Sequence, residues 1–243
     1  MSVRSVVLAG AALLAAAALV AAQPATAAVR HGAVAPNHKI SHSTSTNWSG
    51  YAVTGGTYRS VTASWVQPAV SCSSTAYSSF WVGIDGDTSN TVEQTGTDSD
   101  CNGSTPTYSA WYEMYPKFPA YYSDPISAGD HFSATVTTNG SGSFSLTLSD
   151  TTRGWSHTTT AQLKKARLAS AEVIAEAPSG SGGVLPLADF GTVSFSGAQV
   201  NGSTLTSSTP GIDPITMVTS SGAVKAQPSS ISNGSFSVTW KHS

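Results

Sequence analysis

An all-β sandwich is the fold this 243-residue sequence predicts, and three observations predict it. Short runs of alternating apolar and polar residues recur at 60–66, 80–84, 131–137, 143–148, 171–175, 192–195 and 235–240. A period of two is the strand signature, because successive side chains leave opposite faces. Gly, Asn, Ser and Pro stand between the runs and supply turns at the spacing of a sandwich or barrel. Only residues 161–171 compete as a helix, and they carry no clear apolar stripe.

The chain opens on an address label. Arg4 is followed by a small-apolar run over 6–22, and Ala25-Thr26-Ala27 fits a cleavage site, so residues 1–28 read as a secretory signal peptide. A membrane-spanning helix is the weaker reading, since the run is short and alanine-rich. The expected product is secreted, and free of the membrane after signal cleavage. Residues 29–45 form a polar leader with Arg30, His31, His38, Lys39 and His42 and no acid. It reads as a disordered leader or, alternatively, as a short pro-segment seated on an acidic site. Arg4, Arg30 and Lys39 leave with these segments, so 8 of the 11 basic residues remain against 13 acidic ones, a net charge of −5. Residues 46–243 make one domain's worth of chain.

Within that domain the stretch 80–116 concentrates the chemistry. Phe80, Val82 and Ile84 share one apolar face, and Trp81, Gly83 and Asp85 share the other. Over 110–115, Trp111, Glu113 and Tyr115 again share a face. Two strands that each present tryptophan beside an acid suggest an aromatic groove lined with carboxylates. Cys72 and Cys101 are the only cysteines, and in an exported chain they are expected to form one disulfide framing this stretch. Asn102, Asn139, Asn201 and Asn233 each begin Asn-Gly-Ser, a hairpin signal and also a glycosylation triplet.

Several chemistries lack their motifs. There is no Gly-x-Ser-x-Gly, no His-Glu-x-x-His and no Asp-Thr-Gly or Asp-Ser-Gly. The run from Asp85 begins like a calcium loop, but Asn90 and Gly96 occupy the places of its glycine and final acid, so no metal is expected. The acidic body offers no basic patch beyond Lys164, Lys165 and Arg167, which argues against nucleic acid.

The carboxylates remain, and around them an ordered set of motifs is present. It comprises Asn47-Trp48-Ser49-Gly50-Tyr51, Trp81-Val82-Gly83-Ile84-Asp85-Gly86-Asp87 and Gln94-Thr95-Gly96, then Ala110-Trp111-Tyr112-Glu113-x-Tyr115-Pro116, Ala171-Glu172-x-Ile174-x-Glu176 and Leu187-Ala188-Asp189-Phe190-Gly191. In this order the set resembles the glutamic peptidases, or eqolisins, over nearly the whole mature chain. The resemblance implies a sandwich of two antiparallel sheets of the concanavalin A-like, jelly-roll type, with the concave sheet carrying the site. It places the catalytic pair on Gln94 and Glu176, and substrate-side residues on Trp81, Asp85, Asp98, Trp111, Glu113 and Tyr115. Alternation by itself does not choose between Glu172 and Glu176, which share a face. Thr97, Ser109, Met114, Val173 and Ala177 depart from the pattern of fungal members, Ser109 where those carry an acid, and mark a divergent branch.

The implied activity is acid endopeptidase action on polypeptides by a monomer without a cofactor. Ionised Glu176 would take a proton from water, and the Gln94 amide would donate to the oxyanion. Like charges in one groove raise each other's pKa, which predicts an acidic optimum. The rival readings are a carbohydrate-binding module, with Trp81, Trp111 and Tyr115 as stacking platforms, and a glycoside hydrolase using Glu113 and Glu176.

Overall fold

Thirteen strands of five residues or more, and no helix, are found among the residues that the computed structural model describes, Met1 and 44–243. They are β1 (Trp48–Thr54), β2 (Ser60–Val66), β3 (Ser79–Ile84), β4 (Val92–Asn102), β5 (Thr105–Tyr115), β6 (His131–Thr138) and β7 (Ser143–Asp150). After them come β8 (Trp155–Gln162), β9 (Ser170–Glu176), β10 (Thr192–Val200), β11 (Ile212–Val218), β12 (Val224–Pro228) and β13 (Phe236–Trp240). The signal peptide expected over 1–28, and all but the last two residues of the leader expected over 29–45, lie outside the described residues. Thr44 and Ser45 pair with Thr216 and Met217 and so belong to the fold.

Two antiparallel sheets share β11. One runs β8-β7-β6-β2-β10-β13-β12-β11, the other β11-β1-β9-β3-β4-β5, with Ala120–Tyr121 outside β5. Residues 212–215 of β11 pair with β1, and Met217 and Val218 pair with β12 across a register shift. Such an irregularity lets one strand turn from sheet to sheet.

Alternation explains what lies between the sheets. Val61, Ala63 and Trp65 of β2, Phe132, Ala134 and Val136 of β6, and Phe144, Leu146 and Leu148 of β7 face Phe80, Val82 and Ile84 of β3 and Val173 of β9 in one buried cluster. Burying each such Phe or Leu contributes about 1.5–3 kcal/mol. On the outer face of the first sheet the same alternation sets hydroxyls in a row, with Ser156, Ser149, Ser133 and Ser64 in consecutive register. This face is held by pairs such as Ser149 with Ser156 and Thr147 with Thr158 rather than by charge, so acid leaves it intact.

Three expectations resolve at once. Residues 161–171 are the end of β8, a loop and the start of β9, not a helix. Asn201 and Asn233 take positive φ (51° and 46°), as do Gly202 and Gly234 after them, the backbone of a tight hairpin turn. The Cys72–Cys101 disulfide forms, tying the loop before β3 to the end of β4.

Candidate active site

The face of the second sheet turned away from this core carries the site. Register places Trp48 and Ala52 of β1, Glu172, Ile174 and Glu176 of β9, and Trp81 and Gly83 of β3 on it. Gln94, Gly96 and Asp98 of β4 and Ser109, Trp111, Glu113 and Tyr115 of β5 continue it. Glycine is needed beside Trp81. A Cβ on Gly96 would lie 2.2 Å from the Phe80 carbonyl oxygen and 2.6 Å from the Trp81 Cβ, and one on Gly83 would meet the Trp81 ring at 2.9 Å. The indole can therefore lie across the strands and reach β9. Trp81 packs edge-on against Trp48 with centroids 4.9 Å apart, within a second apolar cluster that includes Trp111 and Ile174.

Glu176 ends β9 and is 8% exposed. Asn47 Nδ2 donates to its Oε1 at 3.1 Å and Trp81 Nε1 donates to its Oε2 at 2.8 Å. The orientation of Asn47 is fixed. Ser45 Oγ accepts the backbone N–H groups of Asn47 and Trp48, and so turns its own hydrogen to Asn47 Oδ1. Burial and, after it, the charge of Glu113 push Glu176 up to about 8, against the pull of its hydrogen-bond donors.

Gln94 and Glu113 stand directly opposite each other on β4 and β5. Gln94 Nε2 donates to Glu113 Oε2 at 2.5 Å, while Gln94 Oε1 is buried without a hydrogen-bond partner. Burial pushes Glu113 up to about 7; the Gln94 hydrogen bond opposes this and Asp98 adds to it. The hydrogen bonds distinguish the two carboxyls. Both groups aimed at Glu176 are donors and favour its anion, whereas the amide facing Glu113 can either donate or accept. A proton on Glu113 also removes one of the causes that lift Glu176.

Asp98 sits beside this pair as an organiser. Its Oδ1 accepts from Ser79 Oγ at 2.8 Å and Trp111 Nε1 at 2.7 Å, and its Oδ2 from Ser109 Oγ at 2.9 Å. Ser109 supplies a donor to Asp98 rather than a second charge. Tyr115 is half-buried at the other end of the face, against the Trp48–Trp81 cluster.

Asp85 is not brought to this group. With φ at 69° it is wholly buried, and its carboxylate accepts the backbone N–H groups of Arg167, Leu168 and Ala169 at 2.7, 2.9 and 2.8 Å. Its geometry is that of a clasp joining the turn after β3 to the loop before β9, in place of the substrate-side position expected for it. The sequence gives no hint of this, because the three donors lie more than eighty residues away. Asn47, Ser45 and Ser79 are site residues that the reading of single side chains missed. Asn47 stood inside a quoted motif, but only the pairing of β1 with β9 sets it beside Glu176.

Comparison with known proteins places the chain in a family. The Peptidase A4 family model matches residues 46–240. Aspergillopepsin-2 of Aspergillus niger is 32% identical over 81% of this chain and 78% of its own. Scytalido-glutamic peptidase, solved with a transition state analog inhibitor, superposes with a TM-score of 0.71 at 28% identity, covering 81% of this chain and 98% of that one. The eqolisin SCP-B, solved in complex with the tripeptide Ala-Ile-His, gives 0.67 at 27% identity with the same coverage.

The chain belongs to the Peptidase A4 family.

It is thus a glutamic peptidase, a hydrolase of peptide bonds of the acid-acting kind. Two features of the peptidase weigh against the sugar-binding alternatives. Trp81 is 0% exposed and Trp111 5%, so neither presents an open ring face for stacking. Glu113 is engaged by the Gln94 amide, for which neither sugar-binding alternative gives a role.

Proposed function

We propose that this peptidase cleaves polypeptides with Glu176 as proton carrier and Gln94 as oxyanion donor. One observation carries the reading: Glu176 is held by two donors on the same sheet face as Gln94, on a strand two removed from it. Donors that favour the anion fit a group that must accept a proton from water. The water oxygen bonds to the scissile carbonyl carbon as its proton passes to Glu176. The negative charge that develops on the carbonyl oxygen receives an N–H of Gln94, a bond stronger in the tetrahedral state than in the planar one. The C–N bond then breaks, Glu176 returns the proton to the departing nitrogen, and a carboxylic acid and an amine are released. Trp81 and Asn47 hold Glu176 in place, and Asp98 holds Trp111.

Export of the peptidase follows from the signal-like residues 1–28, and a cationic leader beside a body of net charge −5 fits a pro-segment that leaves in acid. Digestion of a denatured protein at acid pH, with pepstatin present, tests the core of the proposal. Wild type should cut, and Gln94→Ala should lose about 3–4 kcal/mol of transition-state stabilisation while remaining folded. Full activity in a folded Gln94→Ala protein would remove Gln94 from the mechanism.

A further inference from the structure

The two amides of the site are held differently. Asn47 is locked by Ser45, so its N–H₂ can only face Glu176. Gln94 is tethered at one end, to Glu113, and its Oε1 is buried with no hydrogen-bond partner. An ionised carboxylate only accepts, whereas a protonated one also donates. A half-turn of the Gln94 amide exchanges its oxygen and nitrogen within nearly the same shape, about a torsion with broad, roughly two-fold preferences.

We propose that Glu113 is a positioning residue that sets the direction of the Gln94 amide according to its own proton. Protonated, Glu113 donates its O–H to Gln94 Oε1, fills the one empty acceptor of the pair and leaves both N–H bonds of Gln94 for the oxyanion. Ionised, it takes an N–H for itself and turns Gln94 Oε1, a repelling dipole, toward the place where negative charge must develop. This inference rests on Gln94 being the oxyanion donor. The titratable groups around Glu113 are Asp98 on β4, Glu176 on β9 and, on its own strand, Tyr115. Burial disfavours its charge most, the Gln94 hydrogen bond opposes this, and Asp98 adds to the burial. The neutral form of Glu113 is therefore the form present in acid. Protonation also withdraws a negative charge that acts on Glu176. Loss of activity toward neutral pH then has a local cause: the amide is captured.

The test compares pH profiles of kcat for wild type, Glu113→Met and Glu113→Gln, with folding followed by near-ultraviolet circular dichroism. Glu113→Met keeps the volume but offers no donor, and kcat should fall about tenfold or more at acid pH with little change in KM. Glu113→Gln supplies a donor that no base removes. It should restore the acid-side kcat to within about threefold of wild type and move the alkaline fall upward by about one pH unit or more. A folded Glu113→Gln protein that is as slow as Glu113→Met, or that keeps the wild-type alkaline limb, overturns the proposal. Gln94→Ala serves as the control on the underlying reading. If it keeps full activity, Gln94 is not the oxyanion donor whatever the Glu113 profiles show; if it is slow while Glu113→Gln behaves like Glu113→Met, only the positioning role falls.

Discussion

Glu172 and Glu176 lie four residues apart on β9, face the same side and are both buried, yet they differ in kind. Glu176 is 8% exposed and receives Asn47 and Trp81. Glu172 is 0% exposed, and no N–H is aimed at its carboxylate. Burial drives Glu172 well above the usual carboxylate range, the nearby Ser170 hydroxyl opposes this, and the charges of Asp87, Asp85 and Glu93 add to it. Glu93 on β4 is in the same state, pushed up to about 9 by burial and Asp85. Donors thus separate the two carboxyls, in line with the proposed role of Glu176. Burial alone makes a neutral acid group that packs; burial with aimed N–H groups makes one that can cycle its proton.

The largest expected effect breaks this comparison at its working end. Glu176→Gln should lower kcat by about 10²–10⁴-fold, the range for a lost general base, with folding retained. Glu172→Gln should leave kcat near wild type. Single-turnover peptide cleavage on both variants checks the pair, and equal losses would dissolve the distinction.

A second expectation sharpens the silent end through pH. Glu93 and Glu172 have folded pKa values above their ordinary value of 4.5, so the stability they contribute is complete below about pH 4.5 and is lost as pH rises through the folded values. For Glu93 the window runs from 4.5 to about 9. The Tm of the wild type should therefore fall from acid toward alkaline pH. Glu93→Gln and Glu172→Gln should each flatten that fall, and a Tm that rises with pH would contradict the assignment.

The smallest effect concerns the lock on Asn47. Asn47→Ala removes one donor from the Glu176 anion, worth about 1.5–3 kcal/mol for a bond to a charged group, and should lower kcat about tenfold or more. Loss of a donor to the ionised form raises the pKa of Glu176 further, so the acid limb of the pH profile should move upward. Ser45→Ala should produce a weaker version of the same shift. Unchanged profiles in both would show that Trp81 alone suffices.

Much of the fold was legible because aliphatic alternation is a local property. Residues 60–66 were recognised at the bounds of β2, and 80–84 within one residue of β3. β4 stands outside the clearly alternating runs, since Val92–Asn102 is polar at nearly every position. It is buried on both faces, and its polar groups are used there: Thr97 Oγ1 accepts from Trp65 Nε1, and Gln94 and Asp98 face the site. β8 was missed because its Ser/Thr face carries no apolar contrast at an edge of the sheet.

The sequence by itself determined the faces. Tetrahedral carbon and a pleated backbone send neighbouring side chains to opposite sides, so Trp81 is parted from Phe80 and Val82, and Glu176 is grouped with Glu172, before any folding is considered. Only the tertiary structure decided which of the two acids receives donors. Asn47 and Glu176 are 129 positions apart and Trp81 and Glu176 are 95 apart, and the pairing of β1 and β3 on either side of β9 is what brings both donors to one carboxylate. A hydrogen bond depends on where two atoms meet in space, and strand order sets that meeting.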